Sequence, residues 1–326
     1  MKELQPYLRL FHNHLEDYKI SIRKKKPKEL YEPIHYVLSQ DAKYIRPLLC
    51  LLSCKLFGNN PKEALNAALA IELFHNFSLV HDDILDNSDL RRGKSTVHKK
   101  WNNNIAILAG DVLLVEAFRL LSKYPEHISL QLLSILSKTA AEICEGQQDD
   151  MNFETKQKVS SKEYLEMIRK KTSVLLGTSM QMGAIVAEAS REQQKKIYNF
   201  GETIGLSFQI TDDWLDTFGQ TRKTGKKIGN DILTNKKTFL LVTLLEKSDT
   251  LTKKKIVSTL KLNPSEQKIN RMIDLYKQLD ISDITQNYSS TLTNKAFLDF
   301  EKFIVKNKKT KALIIQLSKN LLNREK

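Results

Sequence analysis

The amino-acid sequence predicts an all-α fold, and three observations support this prediction. Only 11 glycines and 7 prolines occur in 326 residues, and no proline interrupts residues 93–123 or 131–201. Apolar residues there recur mostly at intervals of three and four, as in Tyr164, Met167 and Ile168, which is the period of an amphipathic helix. Alternating apolar and polar segments bounded by turn pairs, the pattern of strands, are not found. We therefore expect about ten or more helices.

Helix-breaking residues mark the connections between the predicted helices. Pro125, Pro264 and the stretch Gly58–Pro61 are predicted turns. The segment Thr217–Asp231 holds three of the eleven glycines and is predicted to be a basic, mobile loop. Neither a low-complexity block nor a clear boundary divides the sequence, so we predict one domain that covers residues 1–326. A hydrophobic content of 41% is enough to fill its core.

Cysteine usage and hydropathy limit the class of protein. Cys50 and Cys54 are spaced by four residues in an apolar run, so we expect small core residues rather than a redox or metal pair. Three cysteines are an odd and low count, which favours a reducing compartment and predicts a cytoplasmic location. No signal-peptide core is found, and no run of 18 apolar residues predicts a transmembrane segment.

The net charge of +14 arises from 52 basic and 38 acidic residues. Lysine is spread along the whole chain, as is typical of a solvated surface, and clusters such as Lys24–Lys26 would also attract anionic substrates or anionic membranes. A nucleic-acid partner is not predicted, because no binding motif is found and aromatic residues do not alternate with the basic runs.

Two acidic clusters are the most informative feature of the sequence. Both read Asp-Asp-x-x-Asp, and they consist of Asp82, Asp83 and Asp86, and of Asp212, Asp213 and Asp216. They lie in the apolar runs Ile71–Leu85 and Ile204–Leu215, where the first and third aspartates are one helical turn apart. Carboxylates in apolar helices need a partner, and Mg²⁺ prefers such hard oxygen ligands together with substrate phosphates. We expect two such helices to face each other around a diphosphate and several metal ions.

Five motifs follow one another in a fixed order along the chain. They are KYIRP at Lys43–Pro47, HNFSLVHDDILDNSDLRRG at His75–Gly93, GDVLL at Gly110–Leu114, EGQQDDM at Glu145–Met151, and FQITDDWLD with GKKIGNDILTNKKT within Phe208–Thr238. In content and order they resemble the trans-polyprenyl diphosphate synthases. The resemblance implies a helical bundle of the isoprenoid synthase type with a central substrate cavity, a homodimer, and three Mg²⁺ per active site. It also implies that isopentenyl diphosphate is condensed with an allylic diphosphate.

The same resemblance implies roles for individual residues. Asp82 and Asp86, supported by Asp83, would bind metal, as would Asp212 with Asp213 and Asp216 close by. The residues implied to act on the allylic diphosphate or near the reacting carbons are Arg91, Lys171, Thr172, Gln209, Lys226 or Lys227, and Lys236. Those implied to bind isopentenyl diphosphate are Lys43, Arg46, His75 and Arg92. Gln147 and Asp150 match a further polar pair in the cavity.

Helical geometry supports one of these roles independently. His75, Ser78, Asp82 and Asp86 fall within a helix face about 80° wide. A histidine in an apolar helix is more often a satisfied core residue, but this one lies two turns from the carboxylates on their own face. We therefore expect it to contact phosphate.

Product length is expected to depend on residues that precede the first motif. In the family, the growing chain runs along this helix, and one helical turn of about 5.4 Å is close to one isoprene unit. The bulky Phe74 and Phe77 argue against long products, whereas the small Ser78 differs from the double aromatic of animal-type farnesyl enzymes. Together they favour a C20 product, with C15 next. The alternative is that both phenylalanines only pack the helix.

One segment of the sequence departs from the family pattern, and several other functions are alternatives. Asp41-Ala42-Lys43-Tyr44 stands where the family has Gly-Gly-Lys-Arg, which leaves the shape of the isopentenyl diphosphate pocket open. A longer-chain synthase and a non-elongating subunit of a heteromeric synthase are alternatives. His81-Asp82 also matches the signature of metal phosphohydrolases, but those need further histidines and none of the seven lies beyond His127. Head-to-head condensing enzymes usually lack the Arg-Arg-Gly element. Terpene cyclases normally have a different second metal site in place of the second aspartate motif.

Overall fold

The computed structural model describes residues 2–219 and 229–323, and it confirms the all-α prediction. The helices are α1 Gln5–Arg23, α2 Lys28–Leu38, α3 Ile45–Leu56, α4 Leu65–Leu85, α5 Val97–Lys100, α6 Asn103–Leu121, α7 Glu126–Thr155, α8 Ser161–Ile168, α9 Val174–Val186, α10 Arg191–Phe218, α11 Asn230–Leu233, α12 Phe239–Lys247, α13 Thr250–Leu260, α14 Glu266–Gln278, α15 Ile281–Lys302 and α16 Lys308–Asn323. Short 3₁₀ segments span Lys2–Leu4 and Pro61–Ala64, and a π-turn spans Arg169–Ser173.

The chain divides into two compact units, which are described separately. Unit 1 comprises residues 1–137, 178–198 and 305–315, and unit 2 comprises residues 138–177, 199–304 and 316–326. The first aspartate motif belongs to unit 1 and the second to unit 2. The single domain over residues 1–326 stays a prediction.

Helix α4 is the core helix of unit 1, and it packs chiefly against α6. Ala67 to Phe74 are all buried, and all of them except Glu72 have small or apolar side chains. One contact requires a glycine: a Cβ on Gly110 of α6 would lie 2.3 Å from Nε2 of His81. The same imidazole nitrogen lies 3.2 Å from the carbonyl oxygen of Ile107. Gly110, the first residue of the GDVLL motif, and Ile107 therefore both contact His81, which directly precedes the first aspartate motif.

A small β-hairpin follows the first motif, and it was not expected from the sequence. Strands β1 Leu90–Arg91 and β2 Lys94–Ser95 pair antiparallel, with Leu90 opposite Ser95. Both turn residues have positive φ, 53° at Arg92 and 75° at Gly93, as a type I′ turn requires. The sequence could not indicate this hairpin, because strands of two residues show no alternation of apolar and polar side chains.

A π-turn between α8 and α9 is the second local irregularity, and it lies in unit 2. A Cβ on Gly146 of α7 would lie 2.4 Å from the backbone nitrogen of Lys171. A Cβ on Gly205 of α10 would lie 2.8 Å from Cα of Ser173. The two glycines therefore allow α7 and α10 to pack directly on the turn. Such single π-turns are frequent at functional sites.

Several predicted connections are confirmed and one is corrected. Pro125 precedes α7 and Pro264 precedes α14, as predicted. The prediction of a loop at 217–231 is wrong at both ends, because α10 continues through Phe218 and α11 begins at Asn230; residues 220–228 lie outside the described residues. Lys226 and Lys227 lie outside the described residues. Cys50 and Cys54 are buried, as expected, and Cys144 is exposed; none of the three forms a disulfide.

Among the described helices, none combines the length and the apolar character needed to cross a membrane.

Candidate active site

The first aspartate motif occupies the C-terminal end of α4 in unit 1. Asp82 lies in the last turn and is partly exposed, whereas Asp86 is the exposed residue that ends the helix. The backbone N–H of Asp86 donates to the carbonyl of Asp82 at 2.8 Å, so the two residues are one turn apart, as the spacing predicts. Both carboxylates therefore lie at the open end of an otherwise apolar helix.

Asp83 differs from its two neighbours because it is buried, with only 4% of its surface exposed. Arg91 on β1 donates to one of its oxygens twice, from Nε at 2.9 Å and from Nη2 at 2.6 Å. Burial raises the pKa of Asp83, and the guanidinium of Arg91 partly offsets this effect. This ion pair anchors the hairpin to α4 and fixes the position of Arg91.

Arg46 and His75, for which the sequence predicts a shared role, lie together in unit 1. Nη1 of Arg46 is 3.2 Å from Nε2 of His75. Burial, assisted by Arg46 and Arg92, lowers the pKa of His75 well below its usual value. The imidazole is therefore neutral at pH 7 and accepts the hydrogen bond. Burial lowers the pKa of Arg46 to about 10, which leaves the guanidinium charged at pH 7.

Glu72 is a residue of this group that the sequence interpretation missed. It lies one turn before His75 and Asn76 on α4, and only 3% of its surface is exposed. Nδ2 of Asn76 donates to its carboxylate at 3.0 Å. Burial raises the pKa of Glu72, while Arg92 and Arg46 oppose this shift. The sequence does contain a signal for Glu72, because an acidic residue in the middle of an apolar run needs a compensating charge.

In the segment Asp41–Tyr44, where the sequence departs from the family pattern, Tyr44 has an unusual backbone conformation. Tyr44 precedes α3 with a left-handed φ of 49°, and its buried ring packs on Phe11, with ring centroids 5.3 Å apart. Aromatic packing of this kind stabilises Tyr44 in a left-handed backbone conformation that residues other than glycine rarely adopt. Lys43 beside it is exposed.

The aromatic residues expected to limit product length form a row along α4. Phe74 is fully buried, and its ring centroid lies 5.5 Å from that of Phe77. The ring of Phe77 lies 4.8 Å from that of His81. Ser78 is partly buried, and its hydroxyl donates to the carbonyl of His75 at 2.9 Å. The three predicted residues thus lie on neighbouring faces of the helix that carries the first motif.

The second aspartate motif lies near the C-terminal end of α10 in unit 2. As in the first motif, the middle aspartate is buried: Asp213 has 2% of its surface exposed. It accepts hydrogen bonds from the hydroxyl of Tyr164, from the backbone N–H of Phe239 at 3.0 Å and from Nε2 of Gln209 at 3.3 Å. Burial raises the pKa of Asp213 to about 6 although Tyr164 and Lys236 act in the opposite direction. Asp213 thus joins α10 to α8 and to the start of α12.

The first and third aspartates of this motif are more accessible. Asp212 and Asp216 are both partly exposed. One oxygen of Asp216 accepts a hydrogen bond from the backbone N–H of Asp231 at 2.9 Å, which ties α10 to α11. Lys236 is exposed on the connection between α11 and α12.

The π-turn carries two further predicted site residues. Nζ of Lys171 pairs with Asp150 on α7 at 2.5 Å, and both side chains are partly buried. The hydroxyl of Thr172 donates to Gln209 on α10 at 3.4 Å. Within residues 2–219 and 229–323, Oε1 of Gln147 is buried without a hydrogen-bond partner. Unit 2 therefore brings together the predicted polar residues of α7, the π-turn and α10.

The donor set suits a magnesium site that is completed by its substrate. Among the described residues, no group of three or more histidine, cysteine, aspartate or glutamate side chains converges as in a preformed metal cage. Mg²⁺ does not require one, because it is usually bound by one or two carboxylates together with water and substrate phosphates. Asp82 with Asp86, and Asp212 with Asp216, provide such pairs.

Comparisons with known proteins identify the family of this chain. The polyprenyl synthetase family model matches residues 27–279. A geranylgeranyl diphosphate synthase of Methanosarcina mazei is 44% identical over 225 residues, which are 68% of this chain and 69% of that protein. A geranylgeranyl diphosphate synthase of Saccharolobus solfataricus is 34% identical over 307 residues, or 92% of this chain and 91% of that protein.

A solved structure shows the same similarity in three dimensions. The geranylgeranyl pyrophosphate synthetase from Pyrococcus horikoshii Ot3 matches with a TM-score of 0.88 and 34% identity, and the match covers 98% of this chain and all of that one (100%). The fold is that of the all-α isoprenoid synthases. The chain belongs to the polyprenyl synthetase family and is a prenyltransferase.

Proposed function

We propose that the protein condenses isopentenyl diphosphate with an allylic diphosphate and releases a C20 prenyl diphosphate. The observation that carries this proposal is the shared design of the two aspartate motifs. In each, a buried middle aspartate is bonded within the protein, and the flanking pair remains accessible. Family membership and the similarity to geranylgeranyl diphosphate synthases favour the short chain length.

The proposed roles follow from the chemistry of the leaving group. When bound, Mg²⁺ neutralises the charge that develops on the departing diphosphate. Arg91, Lys171 and Lys236 are proposed to bind the same diphosphate, since guanidinium and ammonium groups suit this task. Arg91 is held in place for this role by Asp83, and Lys171 by Asp150. We propose that both aspartate motifs act on one allylic diphosphate, through three metal ions.

Isopentenyl diphosphate is proposed to bind the cations of unit 1. Lys43, Arg46 and Arg92 would contact its phosphates, and the neutral His75 would donate a hydrogen bond from its second ring nitrogen. Glu72 is proposed to hold Arg46 and Arg92 at the right positions without touching the substrate. The apolar surface of α4 would shield the allylic cation from water. The double bond of isopentenyl diphosphate then forms the new carbon–carbon bond, and the proton lost passes to the released diphosphate.

A homodimer is proposed as the working form. Ile107, Leu108 and Val115 form an exposed apolar stripe on α6, and Asp111 lies on the same stripe. Apolar stripes of this kind are typical of protein–protein interfaces. Sedimentation velocity measures the oligomeric state directly, and a monomer at micromolar concentration would contradict the proposal. The cytoplasmic location stays a prediction.

Substitution of the accessible aspartates tests the proposed chemistry. Asp82→Ala and Asp212→Ala should each reduce turnover by about 10²–10³-fold, because each removes a ligand of the metal that stabilises the departing charge. Turnover is measured with labelled isopentenyl diphosphate at saturating Mg²⁺. Asp89→Ala is the matched control, since Asp89 forms an exposed ion pair with Lys99 at 3.0 Å and is not one of the aspartates of the Asp-Asp-x-x-Asp cluster. Near-normal turnover in either motif variant would refute the assignment.

A further inference from the structure

A cleft of about 410 Å³ lies at the connection between α1 and α2 in unit 1. We name it the basic cleft, and it is lined by Arg23, Lys25, Lys28, Tyr31, Glu32 and His35. Lysine and arginine outnumber the single lining carboxylate by three to one. None of the residues assigned above to metal or substrate binding lines it. The basic cleft is therefore a feature that prenyl transfer does not explain.

The three cations of the basic cleft are not equivalent. Lys25 forms an ion pair with the buried Glu116 of α6 at 2.6 Å, and its Nζ lies 5.3 Å from the centre of the Tyr31 ring. By contrast, neither Arg23 nor Lys28 takes part in an ion pair within the described part of the chain. Lys25 thus fixes the wall of the cleft, and the charges of Arg23 and Lys28 are available to a ligand.

The N-terminus of α2 adds to this positive charge. Lys28 is the first residue of this helix of 11 residues, and the preceding Pro27 offers no side-chain acceptor to its free N–H groups. The positive end of the helix dipole favours anions at this place. Glu29 and Glu32 in the first turns are exposed and offset only part of the charge.

His35 reports the potential inside the basic cleft. Burial is the largest effect, and it lowers the pKa of His35. Arg23 and Lys19 on α1 lower this pKa further, whereas Glu16 raises it. An anion between Arg23 and Lys28 would reverse this effect and raise the pKa of His35. The imidazole therefore provides a spectroscopic signal of occupancy.

We propose that the basic cleft is a second phosphate-binding site of this protein. Arginine, lysine and a helix N-terminus together are suited to a tetrahedral oxyanion. The cleft volume exceeds that of one phosphate group, so a substituted phosphate fits as well. Two sources share this chemistry, the headgroup of an anionic lipid at a membrane surface and a free phosphate or diphosphate in solution.

The test compares two double variants that carry the same change of charge. Arg23→Gln with Lys28→Gln removes the two available cations of the basic cleft, and Lys24→Gln with Lys26→Gln removes two neighbours that do not line it. Binding is measured by flotation with vesicles of phosphatidylcholine and phosphatidylglycerol in a two-to-one ratio, and with phosphatidylcholine alone. Inorganic phosphate is titrated separately without Mg²⁺, and the ring signals of His35 are followed by NMR, assigned with His35→Asn.

Each source predicts its own result. If lipid headgroups bind, the cleft variant should associate with anionic vesicles at least about tenfold more weakly than the wild type, and the control less than about threefold more weakly. If free phosphate binds, the pKa of His35 should rise with saturation in the wild type and the control but not in the cleft variant. Equal effects of both variants in both assays, or no binding in either, would overturn the proposal. Neither assay depends on catalysis, so a failure here is distinct from a failure of the proposed prenyl transfer.

Discussion

Burial divides the six aspartates of the two motifs into two roles. Asp83 and Asp213 are buried and bonded to Arg91 and to Tyr164 respectively, whereas the first and third aspartates remain accessible. The spacing of the motif predicts the accessible pair, because residues four apart share a helix face. The role of the middle aspartate could not be predicted, since its partner is 8 residues away in one motif and 49 in the other.

The two substrates should be separable by single substitutions. Arg46→Ala or His75→Ala should mainly raise KM for isopentenyl diphosphate, because these groups would bind it equally in ground and transition state. Lys171→Ala should instead impair use of the allylic diphosphate. Steady-state kinetics with each substrate varied in turn measures the difference. If both sets of variants affect both substrates to the same extent, the assignment to separate subsites is wrong.

His75 should also make stability depend on pH. Its usual pKa is 6.5, and in the folded protein burial keeps this pKa well below that value. Below pH 6.5 the unfolded chain therefore binds a proton at His75 that the folded protein does not, so the free energy of unfolding falls as the pH is lowered. His75→Gln removes this contribution.

Denaturant unfolding at about pH 7.5 and about pH 5.5 measures the effect, since the usual pKa lies between these values. The wild type should lose more stability than His75→Gln between the two conditions. An equal loss in both proteins, or a larger loss in the variant, would show that His75 is protonated in the folded protein.

At the scale of the elements, α4 and α10 were predictable and the irregular segments between helices were not. Long apolar runs with carboxylates at helical spacing predict both helices. The hairpin at Leu90–Ser95 and the π-turn at Arg169–Ser173 are too short to show a period in the sequence. Yet these two segments carry Arg91, Arg92 and Lys171. The family resemblance predicts that these residues bind substrate, but only the structure shows which contacts position them.

Helix α4 should also set the length of the product. If Phe74 and Phe77 form the floor of the tunnel, replacing both by alanine opens at least one more turn of about 5.4 Å, roughly one isoprene unit. The wild type should stop at C20, and the double variant should make C25 or longer products. Ser78→Phe should fill the turn below Asp82 and shift the products towards C15. Chromatography of the hydrolysed products measures each length.

Folding must be checked in the same experiment, because each large-to-small change costs about 3–5 kcal/mol in a core. Phe200→Ala is the matched control, since this buried ring stacks on Phe300 at 4.2 Å, outside the row on α4. It should lower the melting temperature and leave the products unchanged. A folded double variant with the wild-type product spectrum would show that the floor of the tunnel lies elsewhere.

For the molecule as a whole, the fold class and the family were predicted mainly by composition and by the order of the motifs, and less by hydrophobic periodicity. Few glycines and prolines predicted the all-α fold, and five ordered motifs predicted the family that the comparisons then showed. The basic cleft was not predictable, because Arg23 and Lys28 are two among 52 basic residues and only folding separates them from the solvated ones. The division into two units was not predicted either, since no change in composition marks it.

The central claim is that this chain elongates an allylic diphosphate with isopentenyl diphosphate. The most direct test is incubation of the purified protein with labelled isopentenyl diphosphate, Mg²⁺ and each allylic starter of five, ten and fifteen carbons, followed by chain-length analysis. The account predicts a labelled C20 prenyl diphosphate as the main final product and no product when Mg²⁺ is removed by a chelator. Absence of any elongated product from all three starters, or equal turnover without a divalent metal, would contradict it.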